Sequence, residues 1–352
     1  MKVIKVRRKI IKQDLWFILA ASVITFLGSC ATNPVTGKKE LSMLSRNQKI
    51  QLGNEADRQI SAIYGLYVED SELPKYIEKI GEGMARISHR PLLKYHFRVL
   101  DSPVVNAFAV PGGFVYVTRG LRAYLNSEAE LSGVIGHEIG HITAKPGVAQ
   151  YSRAQLTQIG FGLGYTLFPV VCQFGDLLQF GVGVLFLQFS REQESQSDSL
   201  GVEYSSRIGY DATQVPHFFT TIRRLSAQNG QDLPTWLSTH PDPVDREAAT
   251  LRMAKRWQQE LPPFNFQAER ERYLDLIAGL VFGEEPRQGF VENGYFYHPI
   301  LDFQFPFPAG WQLTNAPQQV QIVNRNQTAA IQLTVSRRPR ARTAAEELSA
   351  DS

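Results

Sequence analysis

The first residues that could do chemistry form a His-Glu-x-x-His pattern. His137 and His141 lie four residues apart, so on an α-helix they project from one face at about 6 Å from each other. Two neutral imidazoles at this spacing can bind one tetrahedral Zn²⁺. Glu138 projects about 100° away from His137, where its carboxylate can take a proton from a water at the metal. The alternative is a helix with two surface histidines, but apolar neighbours predict a buried helix in which histidines need partners: Leu131, Val134, Ile135, Ile139 and Ile142.

A third ligand can come from a second predicted helix. Glu194 and Asp198 lie one helical turn apart within the segment Ser190–Asp198. Glu194 can supply the oxygen ligand of a site with two histidines and one glutamate, which leaves the fourth position open. Asp198 can accept a hydrogen bond from the far nitrogen of a ligating histidine, for which we expect His137, and so fix its tautomer. The alternative is a solvated acidic helix face, but the upstream histidines favour the ligand interpretation.

Four blocks of the sequence, in the same order, resemble the HtpX/BepA-like zinc metallopeptidases, relatives of the CAAX prenyl proteases. The blocks are His137–His141, Ser190–Asp198, Asn106–Gly113 and Thr239–Arg246, and the resemblance covers roughly residues 33 to 246, with weaker similarity to about residue 310. Ser197 stands where the family usually has alanine, a change between small residues that we expect to have little effect. Lys145-Pro146-Gly147 stands where the family's metal helix usually continues, and proline and glycine should end the helix there.

The resemblance implies an α+β fold. We expect a mostly helical, zincin-like (gluzincin) core with a small edge sheet beside the metal helix, and a small β-rich appendage at the C-terminus. In the family an edge strand binds the substrate backbone as an added strand, which tolerates many side chains. The alternative is an ordinary core hairpin, and the sequence leaves both open. The residues to which this substrate-binding role is carried are Asn106, Ala107, Phe108, Ala109, Gly112 and Gly113.

The family also places a loop with His240 near the metal. His240 would either donate to the developing oxyanion or occupy the open coordination position as a plug, and the sequence leaves both roles open. Arg246, six residues further on, would neutralise transition-state charge or anchor a substrate carbonyl. Without the resemblance, a histidine before a proline in a loop would be interpreted as a structural residue.

Residues 1–29 are predicted to be a lipoprotein signal peptide. A basic start precedes a thirteen-residue apolar run, Leu15–Leu27, which is shorter than a membrane span and typical of a signal sequence. Leu27-Gly28-Ser29-Cys30 resembles a bacterial lipobox, so we expect cleavage before Cys30 and lipidation of its thiol. The alternative is an uncleaved N-terminal anchor. Ala31 after the cysteine resembles an outer-membrane sorting pattern.

Cysteine content and net charge limit what the chain can be. The chain has two cysteines, Cys30 and Cys172, so lipidation of Cys30 would leave Cys172 without an intramolecular partner. The net charge of +3 arises from 37 basic and 34 acidic residues, and removing the six basic and one acidic residues before Cys30 leaves 31 and 33, or −2. A chain with this charge lacks the basic footprint of a nucleic-acid-binding protein.

The chain divides into five predicted parts. Residues 30–40 are a spacer that lifts the domain off the lipid, 41–262 the zinc metallopeptidase domain, 263–293 a linking helix and linker, and 294–352 a small or incomplete β-rich domain. The strongly apolar stretch 159–189 is either a membrane-touching or substrate-gripping flap or a pair of buried helices. Pro169, Asp176 and several glycines interrupt it, which favours the buried helices over a membrane span.

These features together predict a zinc-dependent endopeptidase with one Zn²⁺ per chain. We expect it on the periplasmic side of the bacterial cell envelope, held by a lipid anchor at the outer membrane. By resemblance, its partners are unfolded or misassembled envelope proteins, which it would hydrolyse in protein quality control; no nucleic acid is expected. The alternative is a latent or chaperone-like binding lipoprotein whose zinc site is plugged by the His240 loop.

Overall fold

The computed structural model describes residues 30–42, 44–67, 72–144, 189–228, 236–237, 240, 245–262, 265–283, 289–316, 319–326 and 328–334. The predictions for the signal segment, for the helix exit at 145–147 and for the apolar stretch before Phe189 lie outside these residues. Within the described ranges, no helix combines the length and the apolar character needed to cross a membrane.

The N-terminal part consists of a hairpin and two helices. Strands β1 (Cys30–Thr32) and β2 (Lys39–Leu41) pair antiparallel. Helix α1 (Arg46–Tyr64) starts with a capping box. Helix α2 (Glu72–Ile87) places its apolar residues on one face, and that face is buried in the core: Leu73, Tyr76, Ile77, Ile80 and Met84.

The hairpin is fastened to the folded body, and the predicted spacer role of residues 30–40 stays a prediction. Asn33 is buried, and its Nδ2 donates to the carbonyl of Ala144 at 2.9 Å. Its Oδ1 accepts from the backbone N–H groups of Val35 at 2.8 Å and Thr36 at 3.2 Å, which closes the turn. The side chain of Val35 packs against the main core. One asparagine therefore shapes the hairpin and attaches it to a helix more than a hundred residues away.

A three-stranded sheet follows, with the strands β3 (His96–Leu100), β4 (Ala107–Val110) and β5 (Phe114–Thr118). The order is β3-β5-β4; β3 is parallel to β5, and β4 is antiparallel to it. The turn between β4 and β5 contains Gly112 at φ 99° and Gly113 at φ 106°, which glycine adopts without steric strain. Strand β4 lies at the sheet edge and packs against the metal helix, so the predicted edge sheet is confirmed.

The remaining helices surround one almost fully buried helix. They are α3 (Arg119–Arg122), α4 (Glu128–Ala144), α5 (Arg191–Arg207), a 3₁₀ turn (Ala212–Gln214), α6 (Val215–Gln228), α7 (Arg246–Glu260) and α8 (Arg270–Ile277). Every residue of α4 is buried, and its most extensive packing is with α5. The helix that carries His137 and His141 is therefore the centre of the core, as its apolar flanks predict.

The C-terminal part is a separate set of strands. One antiparallel sheet contains β6 (Phe290–Glu292), β7 (Tyr295–His298) and β8 (Phe303–Pro306). A second contains β9 (Gln312–Ala316), β10 (Gln319–Val323) and β11 (Ala330–Thr334). Phe296, Val320 and Ile322 form a small core of their own. The predicted β-rich appendage is confirmed, and its first strand begins at Phe290.

Candidate metal centre

Close packing of α4 against α5 brings the site together. A Cβ added at Gly136 would lie 3.0 Å from the Cα of Gly201, and one added at Gly140 would lie 3.0 Å from the Cα of Ser197. A Cβ on Gly201 would lie 2.9 Å from the backbone nitrogen of His137. Such distances leave no room for a side chain, so the two helix backbones nearly touch. This contact places the side chains of α5 directly beside the histidines of α4.

The start of α5 is fixed by its own residues. The hydroxyl of Ser190 accepts from the backbone N–H of Gln193 at 3.3 Å, and Oε1 of Gln193 accepts from the backbone N–H of Ser190 at 2.9 Å. This capping box satisfies two donors that a helix start leaves unpaired. It also sets where the first turn begins, and with it the direction in which Glu194 and Asp198 project towards α4.

Four buried side chains converge on one point: His137, His141, Glu194 and His240 each offer a ligand atom within 4.8 Å of the others. Nε2 of His137 is 2.9 Å from Nε2 of His141 and 3.4 Å from Nδ1 of His240. Oε1 of Glu194 is 3.4 Å from Nε2 of His141 and 3.0 Å from Nδ1 of His240. Ligands 2.0–2.1 Å from a tetrahedral centre stand about 3.3 Å apart, so these atoms fit a single metal ion.

Glu138 stands beside this cluster with an unpaired carboxylate. Both of its oxygens and Nε2 of His240 are buried and find no hydrogen-bond partner in the described part of the chain. Oε1 of Glu138 lies 3.7 Å from that nitrogen. Burial raises the pKa of Glu138, because a carboxylate loses solvation there. Buried nitrogen and oxygen donors that converge in this way, beside polar atoms with no protein partner among the described residues, fit the residues of a metal site.

Asp198 holds the first histidine of the cluster. Its Oδ1 accepts from Nδ1 of His137 at 2.9 Å, which turns Nε2 towards the other ligand atoms. Burial alone would lower the pKa of His137, but this bond and the charge of Glu194 raise it. Asp198 in turn accepts from Nε of Arg246 at 2.8 Å and from its Nη2 at 2.7 Å. The predicted contact between Asp198 and His137 is present, and the orienting role of Asp198 stays a prediction.

A hydroxyl holds the second histidine. Oγ of Ser197 lies 3.0 Å from Nδ1 of His141, and both side chains are buried. In the tautomer that leaves Nε2 of His141 free to ligate, Nδ1 carries the hydrogen and donates a hydrogen bond to Oγ of Ser197. Burial lowers the pKa of His141 to about 3, which keeps the ring neutral and able to ligate. Sequence reasoning gave Ser197 no role, and the replaced alanine was the one signal available.

His240 is held in place by aromatic rings. Its imidazole stacks on Trp236, with centroids 4.8 Å apart and planes at 22°, and on Phe189 at 5.6 Å and 27°. Phe189 also stacks on His141 at 4.0 Å. The backbone N–H of His240 donates to the carbonyl of Trp236 at 2.9 Å. Of the two predicted roles, the position of Nδ1 among the ligand atoms favours the plug over the oxyanion donor.

A family model described as Peptidase family M48 matches residues 71–254 of the chain. This span covers more than half of the chain and includes every side chain of the cluster. The chain belongs to peptidase family M48.

Comparisons with individual proteins show how much of the chain is similar to each of them. The Beta-barrel assembly-enhancing protease of Escherichia coli K12 is 28% identical over 260 residues, which cover 71% of this chain and 52% of the relative. The Mitochondrial metalloendopeptidase OMA1 of Arabidopsis thaliana is 32% identical over 179 residues, covering 49% and 34%. The mitochondrial Metalloendopeptidase OMA1 of Danio rerio is 26% identical over 247 residues, covering 66% and 51%. The chain thus spans about half the length of these relatives or less.

Arg246 makes different contacts from those predicted for this M48 chain. Its guanidinium is buried, binds both oxygens of Asp198 and lies with Nη1 3.0 Å from Oε2 of Glu194. The group also lies over the rings of Phe219 and Trp236, at 4.6 and 4.8 Å from their centroids. A guanidinium engaged in this way positions carboxylates of the site. These contacts favour a positioning role over the predicted contact with substrate.

The predicted substrate segment has a mixed environment. Its strand β4 is an edge strand, the position that strand addition requires. However, the side chain of Phe108 is buried and stacks on Tyr116 at 4.8 Å. A Cβ on Gly113 would lie 2.3 Å from the carbonyl oxygen of Lys94, so this glycine serves the turn and its packing. The backbone of β4, rather than its side chains, is the part suited to substrate, and its role stays a prediction.

Proposed function

We propose that this chain is a zinc-dependent metalloendopeptidase. The observation that carries the proposal is the unpaired carboxylate of Glu138 beside the converging ligand atoms of His137, His141 and Glu194. A ligand set with a proton acceptor at its side is what hydrolysis of a peptide bond requires. The names of the relatives, which contain the words protease and metalloendopeptidase, support the same class of activity.

Imidazole and carboxylate donors in a tetrahedral arrangement favour one zinc ion per chain. When bound, zinc supplies Lewis acidity, which polarises the scissile carbonyl and lowers the pKa of a water. Glu138 takes the proton of the attacking water and later returns it to the leaving amine. Its raised pKa makes the carboxylate a better proton acceptor. Asp198 and Ser197 keep the two ligand rings turned towards the ion through their Nδ1 atoms.

The proposed peptidase is latent in this conformation. Nδ1 of His240 occupies the fourth position around the site, where water and substrate would have to enter. The imidazole of His240 must therefore leave this position before catalysis, as a gating group does in other enzymes. The rival function is a binding lipoprotein with a permanently plugged site. The orphaned carboxylate of Glu138 favours the enzyme, because a buried unpaired carboxylate destabilises the fold and a binding module gains nothing from it.

The proposed substrates are unfolded or misassembled proteins of the bacterial cell envelope, cleaved in quality control. The location would be the periplasmic face of the outer membrane, with a lipid anchor on Cys30. The lipobox-like sequence before Cys30 and the bacterial relative named Beta-barrel assembly-enhancing protease support this setting. The edge strand β4 would pair with the extended backbone of such chains, which requires an unfolded segment.

The test compares Glu138→Gln with His137→Ala, each made in the full chain carrying His240→Ala so that latency does not hide activity. Bound zinc is measured by elemental analysis, and cleavage is measured on an unfolded protein. Glu138→Gln should retain one zinc and lose about 10²–10⁴-fold in cleavage rate, whereas His137→Ala should lose both. Undiminished cleavage by Glu138→Gln, or zinc loss equal to that of His137→Ala, would contradict the proposal.

A further inference from the structure

Two segments distant in sequence meet at the C-terminal end of the metal helix α4. Asn33 of the β1–β2 hairpin donates to the carbonyl of Ala144 at 2.9 Å. Arg90, in the loop between α2 and β3, donates through Nη1 to the carbonyl of Ile142 at 3.1 Å. These bonds satisfy carbonyls that a helix end leaves unpaired. They also bring the hairpin and the loop to the same side of the molecule.

The tip of that loop presents a leucine to solvent. The side chain of Leu92 is 88% exposed, the largest value among the exposed large apolar residues that the structure describes. Its backbone is held, because its carbonyl accepts from Nη2 of Arg46 at 3.2 Å. A single exposed leucine is ordinary on a protein surface. The excess of basic over acidic residues in the neighbouring segments is more unusual.

The segments next to Leu92 and the neighbouring hairpin are rich in basic residues. Segments 33–49 and 88–95 contain six basic residues and one acidic residue, Glu40, whereas the whole chain has 37 basic and 34 acidic residues. The backbones of Lys49 and Lys94 border the same turn, since Cβ atoms added at Gly112 and Gly113 would lie 3.0 and 2.3 Å from their carbonyl oxygens. We call these residues together the basic face: Lys38, Lys39, Arg46, Lys49, Arg90, Leu92 and Lys94.

We propose that the basic face rests on an anionic lipid surface. Its cations would contact lipid phosphates, and Leu92 would enter the boundary between headgroups and acyl chains, as apolar residues of interfacial segments do. The chain itself points to lipid. Cys30 lies three residues before Asn33, a span of at most about 11 Å, so a lipid on Cys30 would emerge at this face. That step rests on the proposed lipid anchor, but the charge and the exposed leucine do not.

The proposal places the metal site next to the membrane. His141 precedes Ala144 by three residues, which is about 4.5 Å along a helix. The end of α4 that carries the ligands would thus face the lipid, with the turn that ends the edge strand β4 beside it. Chain segments that leave the membrane surface would be the first to reach β4.

The first test measures the depth of single positions in the full chain. With Cys30→Ser and Cys172→Ser, an environment-sensitive dye is attached to Leu92→Cys or, as a control, to Ile300→Cys, a site that is 67% exposed in the C-terminal part. Vesicles are made either of phosphatidylethanolamine with phosphatidylglycerol or of phosphatidylcholine. The dye at position 92 should shift to the blue on the anionic vesicles alone, and the dye at position 300 should not.

The second test removes charge. Lys38→Gln with Lys39→Gln and Lys94→Gln should lower the partition coefficient on anionic vesicles about a hundredfold, since three cations act near the surface. The matched control Lys75→Gln with Lys79→Gln and Lys255→Gln changes the net charge equally at exposed sites elsewhere and should have little effect. Added salt should weaken binding.

Several outcomes would overturn the proposal. These are no shift at position 92, equal shifts at 92 and 300, equal shifts on both kinds of vesicle, or equal losses in the two triple variants. A shift that grows with protein concentration without vesicles would show a second copy of the chain on this face instead. None of these measurements uses proteolysis, so they separate the lipid surface from the proposed peptidase activity.

Discussion

At the scale of single residues, the two ligand histidines are held by hydrogen bonds of different strength. Nδ1 of His137 meets the carboxylate of Asp198, whereas Nδ1 of His141 meets the hydroxyl of Ser197. Hydrogen bonds to a charged acceptor are roughly twice as strong as neutral ones. The spacing of Glu194 and Asp198 allowed the first contact to be predicted. The second could not be predicted, because a serine among small residues carries no signal until the helices are packed.

Ser197→Ala should weaken zinc binding while leaving the fold intact. The change leaves a buried N–H of His141 without an acceptor, so we expect a loss of affinity of about 10–100-fold, the range typical of groups that orient ligands. Competition with a chelator measures it. Ser205→Ala is the matched control, because it removes the buried bond to Ser132 on the same pair of helices away from the ligands. Equal affinities of Ser197→Ala and the unchanged chain would remove the assigned role.

At the scale of elements, glycines set the distance between α4 and α5. The sequence shows glycines in both helices, but it does not show that they face each other. A Cβ on Gly201 would lie 2.9 Å from N of His137 and 3.0 Å from the carbonyl oxygen of Gly133. Both are backbone atoms, which cannot move aside as a flexible side chain can. The geometry of the site therefore depends on this contact as much as on the ligands themselves.

Gly201→Ala should lower both Tm and zinc affinity. Forcing a methyl group between the backbones costs about 1–3 kcal/mol and moves Glu194 away from the histidines. Thermal unfolding and chelator competition on one preparation measure the two effects. Gly83→Ala is the control, because an added Cβ would approach only a side-chain atom of Ile208 at 3.8 Å. Comparable behaviour of the two variants would show that the glycine contact does not set the site.

The attachment of the β1–β2 hairpin to helix α4 leads to a further prediction at this scale. The turn of the hairpin could be predicted from the sequence, but its attachment to α4 could not. The partner of Asn33 is Ala144, which lies 111 residues away in the sequence. Asn33→Asp keeps the acceptor for Val35 and Thr36 but removes the donor to α4 and places a negative charge at its C-terminal end, which is unfavourable.

We expect Asn33→Asp to lower Tm and to have nearly the same effect as Asn33→Ala, because the bond to α4 matters more than the turn. Thermal unfolding of the two variants, with and without a chelator, measures this. Stability of Asn33→Asp equal to that of the unchanged chain would show that the hairpin is not attached through this bond.

At the scale of the whole molecule, the fold of the M48 core brings His240 to the ligand atoms of the site. His240 lies between Trp236 and Phe189 and brings its Nδ1 among the ligand atoms. The family resemblance predicted that the loop lies near the metal, yet it could not choose between plug and oxyanion donor. That choice depends on which atoms the ring approaches in the folded chain. The contacts of Arg246 could not be predicted from the sequence either, because its carboxylate partners lie on another helix.

His240→Ala should raise peptidase activity and leave zinc bound, because His137, His141 and Glu194 remain. Turnover of an unfolded protein and the zinc content of the same sample test this. If His240 stabilised the oxyanion instead, the change would lower kcat by about 10²–10³-fold. A lower rate would thus contradict the plug, and an unchanged rate with unchanged zinc would leave His240 as a structural residue.

X-ray absorption at the zinc edge tests the central claim most directly, because it counts the atoms bound to the metal in the full chain. The unchanged protein should contain one zinc with three imidazole nitrogens and one carboxylate oxygen, supplied by the four clustered side chains. In His240→Ala the imidazole count should fall to two while zinc stays bound. Absence of zinc, or fewer than three imidazole ligands in the unchanged protein, would contradict the account.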